Sequence, residues 1–301
     1  METRSPLSRA ALTNVLLATD FSLGSENALR YALNLARRFG ATLYLVHVVT
    51  PDPLHPANSA AARRQIEEAW REGRQFTTRL IVSGDLKDVE DKLFVVGGDL
   101  WPSLAEIVRD KKIDLVVIGT RGRGGLIKML LGSTAETIFR QSPCPVLTVG
   151  PSSVPPRSDG VPLQRILYAT DFTPQSMSAG EFALSLARQY QSHLIMLHVI
   201  EEKSGDSSLR KSSALEDAKT RLRELVPSGA NLEFEPELVV GFGTPAARIL
   251  SVAAEKTPDL IVLGVTQSLP GRGTRRWTTA SEVAAKSSCP VLTVRAPDGG
   301  S

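Results

Sequence analysis

The stretch VLLATDFS at Val15–Ser22 decides the fold, because the chain contains a second, closely similar copy of it. Its second copy, ILYATDFT at Ile166–Thr173, begins 151 residues later. Three further pairs follow in the same order: LVHVV (Leu45–Val49) with MLHVI (Met196–Ile200), DLVVIG (Asp114–Gly119) with DLIVLG (Asp259–Gly264), and CPVLTV (Cys144–Val149) with CPVLTV (Cys289–Val294). A period of about 150 residues is too long for a solenoid repeat, so the sequence predicts a duplicated domain.

Length and composition agree with two soluble globular domains. The chain has 301 residues, of which 42% are hydrophobic and 22% are charged. Its net charge of +3 is too small to indicate a nucleic-acid or membrane partner, and no apolar run approaches the roughly 20 residues that span a bilayer. The start METRSPLSRAALTN lacks a long apolar core, so we expect no signal peptide and a cytoplasmic location.

The two cysteines, Cys144 and Cys289, occur in the near-identical contexts SPCPVLTV and SSCPVLTV. A disulfide scaffold would need more cysteines at closer spacing. We therefore expect two small, partly buried residues that precede equivalent strands, in keeping with a reducing compartment.

The boundary between the two domains falls in GPSSVPPRSDGVP, Gly150–Pro162, whose prolines and glycines interrupt helices and strands. The predicted domains are therefore 1–150 and 151–301. Within each, short apolar runs alternate with segments of helical periodicity, such as Ala28, Ala32, Leu35, Ala36 and Phe39. Strands separated by helices predict crossover connections and a parallel sheet covered on both faces.

Helix ends carry their own signals in the sequence. Gly40 and Thr173-Pro174 are typical of a helix end and a helix start, respectively, and Asp99 can cap the helix that continues through SLAEIVRD.

A glycine-rich loop follows the fourth predicted strand: GTRGRGGLIKMLLGST at Gly119–Thr134. In open α/β sheets, ligands bind beyond the carboxyl ends of the strands, where the strand order reverses. The loop leads into a helix at about Ser133, whose unpaired N–H groups and positive dipole end suit phosphate. Arg121, Arg123 and Lys128 add positive charge nearby. The alternative that Arg123 and Lys128 are only solvated side chains stays open.

Other interpretations of this loop fit less well. A Walker A motif would need Lys and Ser or Thr after Gly124, where Gly125 and Leu126 stand instead. A Rossmann fingerprint would need glycines after the first strand, which ends in ATDFS. The segment RGRGG could suggest RNA, but it occurs once on a nearly neutral chain, so we expect no nucleic acid. A connector without a ligand stays open.

Gly119, Gly122, Gly132 and Ser133 match the pattern G-x2-G-x9-G-[ST], and together with ATDFS and HV this resembles the universal stress protein family, in its ATP-binding branch. The resemblance covers about residues 12–149 and 163–295. It implies two tandem doubly wound α/β domains, each with a five-stranded parallel sheet of order 3-2-1-4-5. In that order the switch point lies between strands one and four, where Asp20 and Gly119 stand.

The family resemblance also implies ATP as the ligand, with or without Mg²⁺, and assigns roles to particular residues. Val48 would offer backbone groups to adenine, and Asp20 would lie near the ribose or a metal on the phosphates. The implied binding residues are Ala18, Asp20, Val48, Gly119, Thr120, Arg121, Gly122, Arg123, Gly124, Gly125, Gly132, Ser133 and Thr134. Asp20 could instead cap the following helix. His47 and His198 we interpret as structural strand residues.

The corresponding loop of the second copy, GVTQSLPGRGTRRWTT at Gly264–Thr279, has lost two of the glycines. Gln267 stands where the first copy has Gly122, and Trp277 where it has Gly132. We therefore expect one ATP per chain, in the first domain, and a degenerate nucleotide loop in the second.

The sequence contains no nucleophile–base pair, zinc site or paired-carboxylate site. We predict an ATP-binding regulatory or stress-response protein with slow or no turnover and no assigned catalytic residue. A weak ATP-hydrolysing enzyme and a nucleotide-free interaction scaffold stay open as alternatives.

The family resemblance further implies pairing of domains through their last strands. The run PVLTV occurs in both halves, so we predict an intramolecular pair, with association of two chains into a homodimer left open.

Overall fold

The computed structural model describes residues 12–22, 25–50, 59–120, 132–153, 163–201, 208–265 and 278–296. The chain divides into two compact units, one within Ala11–Val161 and the other within Pro162–Ser301.

The first unit alternates strands and helices. In chain order its elements are β1 (Asn14–Ala18), α1 (Glu26–Phe39), β2 (Thr42–Val49), α2 (Ala60–Ser83), β3 (Asp91–Gly97), α3 (Leu100–Asp110), β4 (Leu115–Gly119), α4 (Ser133–Gln141) and β5 (Val146–Val149). The strands pair in parallel in the order β3-β2-β1-β4-β5. This confirms the predicted α/β class and the 3-2-1-4-5 order.

Burial explains why these segments form a layered sheet. Val15, Leu16 and Leu17 of β1 are all fully buried, as expected for a central strand covered on both faces. In α1 the predicted apolar stripe buries its three alanines at helical spacing, and Gly40 ends the helix in the left-handed conformation with φ of 63°. Right-handed crossovers place α1 and α2 on one face and α3 and α4 on the other, and α3 contacts α4.

An aspartate before β4 holds the amino ends of β1 and β4 together. Asp114 Oδ2 accepts hydrogen bonds from the backbone N–H groups of Thr13 (2.8 Å) and Asn14 (2.9 Å). In the second unit, Asp259 accepts in the same way from Gln164 (2.8 Å) and Arg165 (2.9 Å). The repeated Asp of DLVVIG and DLIVLG is therefore structural.

The second unit repeats the plan of the first. Its elements are β6 (Arg165–Thr170), α5 (Pro174–Tyr190), β7 (His193–Ile200), α6 (Ser208–Glu224), β8 (Glu237–Phe242), α7 (Pro245–Lys256), β9 (Leu260–Val265), α8 (Thr279–Lys286) and β10 (Val291–Arg295). These strands are parallel in the order β10-β9-β6-β7-β8, which is again 3-2-1-4-5 when counted within the unit.

Two buried positions that face each other, one on the first strand and one on the first helix, change together between the two units. Tyr168 replaces Leu17, and its hydroxyl donates to the carbonyl of Ser176 at 2.7 Å. A Cβ atom on Gly180 would lie 2.8 Å from the Tyr168 hydroxyl oxygen. A larger side chain on the strand is thus accommodated by a glycine on the helix, where the first unit has Leu29.

Two predicted helix caps have different outcomes. Thr173 caps α5 with its side chain and Pro174 begins the helix, as predicted. Asp99 occupies the N-cap position of α3, which confirms the predicted position. Its side chain makes no capping hydrogen bond, so the predicted capping interaction is wrong. Among the helices of the described ranges, none has the length and apolar character that a membrane crossing requires.

Candidate functional site

Five of the residues implied to bind nucleotide lie at the carboxyl ends of three adjacent strands. Ala18 ends β1 between Val46 of β2 and Ile118 of β4. Val48 lies near the end of β2, Gly119 ends β4, and Asp20 and Thr120 follow their strands directly. These ends meet at the switch point of the strand order, where the topology opens a crevice.

A tight turn after β1 fixes the Asp20 carboxylate. Its Oδ1 accepts hydrogen bonds from the Ser22 backbone N–H (3.1 Å) and hydroxyl (2.6 Å). The turn passes through Phe21, which has a φ of 60°, an uncommon backbone conformation for a non-glycine residue. The N-cap residue of α1 is Ser25, so the alternative in which Asp20 caps this helix is wrong.

Thr19 connects the turn to the neighbouring elements. Its hydroxyl accepts from the Phe21 backbone N–H at 2.9 Å and lies 3.0 Å from the Ser25 hydroxyl. Its carbonyl oxygen lies 2.8 Å from His47 Nδ1, and the His47 ring packs against Phe21 with centroids 5.1 Å apart. The structural role predicted for His47 therefore has a definite partner.

The start of α4 is joined to the end of β4. Gly132 N–H donates to the Thr120 carbonyl at 3.1 Å, so both ends of the glycine loop meet at one point. A Cβ atom on Gly132 would lie 3.2 Å from that carbonyl oxygen, closer than side chains normally approach. Gly132 is the N-cap residue and has no side chain, so among the described residues no N-cap side-chain hydrogen bond forms at the start of α4.

This uncapped helix start is suited to an anion. The first N–H groups of a helix have no partner within the helix, and the helix dipole adds positive character there. Ser133 and Thr134, the first two residues of α4, are exposed and carry hydroxyl groups. Glu136 in the first turn forms an ion pair with Arg140 at 3.0 Å, which reduces the repulsion that its carboxylate would exert on an anion.

The second unit reproduces the turn after its first strand. Asp171 Oδ1 accepts from the Thr173 backbone N–H (3.0 Å) and hydroxyl (2.6 Å), and Phe172 has a φ of 62°. Burial acts to raise the pKa of the Asp171 carboxyl. The hydrogen bonds from Thr173 and Ser176 outweigh that effect, and the pKa lies below its ordinary value.

The phosphate end of the second unit is built differently. Thr278 is the N-cap residue of α8, and its hydroxyl accepts from the Ser281 backbone N–H at 3.2 Å. The same hydroxyl donates to the Ser281 side chain at 3.1 Å. A free threonine hydroxyl at this position could donate a hydrogen bond to a ligand, but the Thr278 hydroxyl is engaged within its own helix.

The carboxyl end of β9 is also closely packed. A Cβ atom on Gly264 would lie 2.5 Å from the backbone N and Cα atoms of Ser176, so the first turn of α5 lies directly against this strand end. Helix α5 begins at Pro174, three residues after Asp171, whereas α1 begins at Glu26, six residues after Asp20.

One aromatic contact of the first unit becomes a cation–π contact in the second. Phe21 packs against Phe76 of α2 with ring centroids 5.4 Å apart. At the corresponding place, the Arg221 guanidinium of α6 lies 3.9 Å from the centroid of the Phe172 ring. An exposed cation thus stands where the first unit has a buried ring.

Several of the predicted site residues lie outside the described ranges: Arg121, Gly122, Arg123, Gly124 and Gly125, and also Lys128, Gln267 and Trp277. Within those ranges, no group of three or more His, Cys, Asp and Glu side chains is placed to hold a metal ion.

Sequence reasoning missed the Thr19–Ser25 contact and the partner of His47. A signal for the first was present, because Thr19 and Ser25 recur as Thr170 and Ser176, whose hydroxyl groups lie 2.9 Å apart. Thr19 and Ser25 are each repeated 151 residues later, and this shared recurrence could have identified the two hydroxyl residues as a pair.

Fold and site together define a tandem pair of doubly wound parallel α/β domains, each with a switch point in its strand order. The sequence profile described as "Universal stress protein family" matches residues 12–150 and 162–295. The chain belongs to the universal stress protein family, as its motifs indicated, and is a two-domain member.

Individual relatives agree with this assignment. A universal stress protein of Methanocaldococcus jannaschii is 31% identical over 136 residues, which cover 45% of this chain and 80% of the relative. One from Mycobacterium tuberculosis is 24% identical over 311 residues, covering 94% of this chain and 95% of the relative. The crystal structure of a universal stress protein from Archaeoglobus fulgidus superposes with a TM-score of 0.66 at 19% identity, over 98% of this chain and 100% of that one, which supports the fold.

Proposed function

We propose that this protein binds ATP in its first domain and acts as a regulatory protein whose state depends on ATP occupancy, with slow or no turnover. The observation that carries the proposal is the uncapped start of α4. Gly132 brings this helix start to within hydrogen-bonding distance of Thr120, at the switch point where Asp20 and Val48 also lie. Phosphate at α4 and a nucleoside over the ends of β1 and β2 would use these groups together.

The residues present fit ATP with a bound cation. The helix start would hold phosphates, while Asp20 would face the ribose or a Mg²⁺ ion on the phosphates. Asp20 Oδ1 already accepts two hydrogen bonds, which hold the carboxylate in one orientation before any ligand arrives. Bound Mg²⁺ would neutralise phosphate charge; the chain's own groups bind and orient the nucleotide.

We further propose that the second domain does not bind ATP and serves in packing or regulation. Thr278 satisfies the start of α8 with its own hydroxyl, and the first turn of α5 packs on Gly264. Both contacts use space or donors that a phosphate would need. Pairing of the two domains through their last strands, association into dimers and a cytoplasmic location stay predictions from the sequence and the family.

The proposal is tested with the purified full-length chain. Equilibrium dialysis against millimolar ATP should show binding. Long incubation should release less than one equivalent of ADP or AMP per chain. Absence of binding would contradict the proposal and favour a nucleotide-free scaffold. Steady multiple turnover that is lost in Asp20→Ala would instead establish an ATP-hydrolysing enzyme.

A further inference from the structure

We infer that His47 is a positioning residue for the nucleoside half of ATP, an inference that rests on the proposed function. The last ladder bond between β1 and β2 runs from the Thr19 N–H to the Val46 carbonyl at 2.9 Å. Beyond it, the Thr19 carbonyl lies 2.8 Å from His47 Nδ1. Thr19 immediately precedes Asp20, and His47 immediately precedes Val48. The imidazole therefore sets the spacing of the two strand ends that would hold ribose and adenine.

The chemistry of this contact is defined by its acceptor. A backbone carbonyl can only accept a hydrogen bond, so Nδ1 of His47 carries the proton and donates it. The neutral ring with that tautomer and the protonated ring both carry this proton, so the contact persists in either charge state. Removing the donor would leave the Thr19 carbonyl without its side-chain partner and release the turn through Phe21, against which the ring packs.

The second domain supplies a matched control. His198 Nδ1 lies 2.8 Å from the Thr170 carbonyl, and its ring packs against Phe172 with centroids 4.4 Å apart. The contribution of each histidine to stability should therefore be similar. Only His47 stands at a crevice whose phosphate end is uncapped, since Thr278 caps the helix start in the second domain.

The experiment compares three variants of the full-length chain. His47→Phe keeps an aromatic ring and removes the donor, His47→Asn restores an N–H near the position of Nδ1, and His198→Phe is the control. Calorimetric titrations measure the Kd values of ATP, adenosine and tripolyphosphate. We expect His47→Phe to weaken ATP and adenosine by the same factor, about threefold to tenfold, the loss of one hydrogen bond. Tripolyphosphate binding should be unchanged.

The other two variants should separate positioning from simple structural support. His47→Asn should restore affinity to within about twofold of the parent, because it returns the donor. His198→Phe should lower the unfolding temperature as His47→Phe does and leave all three Kd values unchanged. If His47→Phe fails to fold, His47→Gln replaces it: its amide lies further along the side chain, and the same selective loss is expected.

Equal loss of adenosine and tripolyphosphate affinity in His47→Phe would overturn the inference, because it would indicate general loosening of the site. Parent-like affinities in a folded His47→Phe would overturn it as well. These results bear on His47 when the parent chain binds ATP. If the parent chain binds none of the three ligands, the proposed function itself has failed.

Discussion

Replacing Gly132 with aspartate should abolish ATP binding while leaving the domain folded. The aspartate side chain would cap α4 from within the chain, and so occupy the donors that we assign to phosphate. The backbone at Gly132, with φ of −61° and ψ of 152°, is open to any residue. The variant therefore tests occupancy of the helix start rather than backbone strain.

Two local terms set the expected change in stability. A Cβ atom would lie 3.2 Å from the Thr120 carbonyl oxygen, so that carbonyl must shift by a few tenths of an ångström. Against this, an aspartate cap gains a few tenths of a kcal/mol over glycine, and its charge at the helix start adds about 0.3–1 kcal/mol. The free energy of unfolding should stay within about 1 kcal/mol of the parent value.

The expected loss of affinity is much larger. Two unit charges about 4 Å apart near a protein surface repel by about 4 kcal/mol before salt screening. Even with screening, ATP should bind at least about a hundredfold more weakly, which corresponds to about 2.8 kcal/mol. Gly132→Asn is the control: it caps the same N–H groups without charge and should lose about tenfold.

The assay combines calorimetric titration with ATP and urea unfolding of each variant. The reasoning would be refuted by a folded Gly132→Asp chain that binds ATP within about threefold of the parent. Equal losses in Gly132→Asp and Gly132→Asn would show that occlusion rather than charge dominates.

Three further predictions concern stability and reactivity. The lowered pKa of Asp171 means that its contribution to stability is present above about pH 4 and is lost as the pH falls through the lower folded value. In Asp171→Asn the urea midpoint should therefore depend less steeply on pH in that range, and a pH dependence equal to that of the parent would contradict the assignment. Burial raises the pKa of Cys144 and raises that of Cys289 to about 11, so both thiols should react slowly with a disulfide reagent in the folded chain and fully in urea; immediate labelling of the folded chain would be evidence against their burial. Gly264→Ala should destabilise the chain by about 1–3 kcal/mol in urea unfolding, because the methyl group would lie 2.5 Å from the Ser176 backbone, and a change below about 0.5 kcal/mol would mean that α5 can move away.

Local patterns predicted the elements of the fold well. The repeated apolar run LVHVV lies within β2 (Thr42–Val49), and α4 begins at the predicted Ser133. The strand order was predicted from the family resemblance, because the hydrophobic pattern of a strand does not indicate which distant strand it pairs with. At Asp99 the residue type predicted the N-cap position, but the side-chain orientation that makes a capping hydrogen bond is set by the tertiary surroundings.

The candidate site was predictable where its groups belong to one local motif. The glycine pattern located the start of α4, and ATDFS located Asp20. The partner of His47 was not predictable, because Thr19 lies 28 residues away and the contact forms only when β1 and β2 pair. The capping role of Thr278 was also not predictable from the sequence. A threonine at a helix start can donate to a ligand or cap its own helix, and only the geometry distinguishes the two.

The stoichiometry of ATP binding to the intact chain tests the central claim most directly. Asp20 and Asp171 make the same pair of hydrogen bonds within their turns, so Asp20→Asn and Asp171→Asn disturb their domains alike. Calorimetric titration should give one ATP per parent chain, with binding strongly reduced in Asp20→Asn and unchanged in Asp171→Asn. Two equivalent sites per chain, or loss of binding in Asp171→Asn alone, would contradict the account.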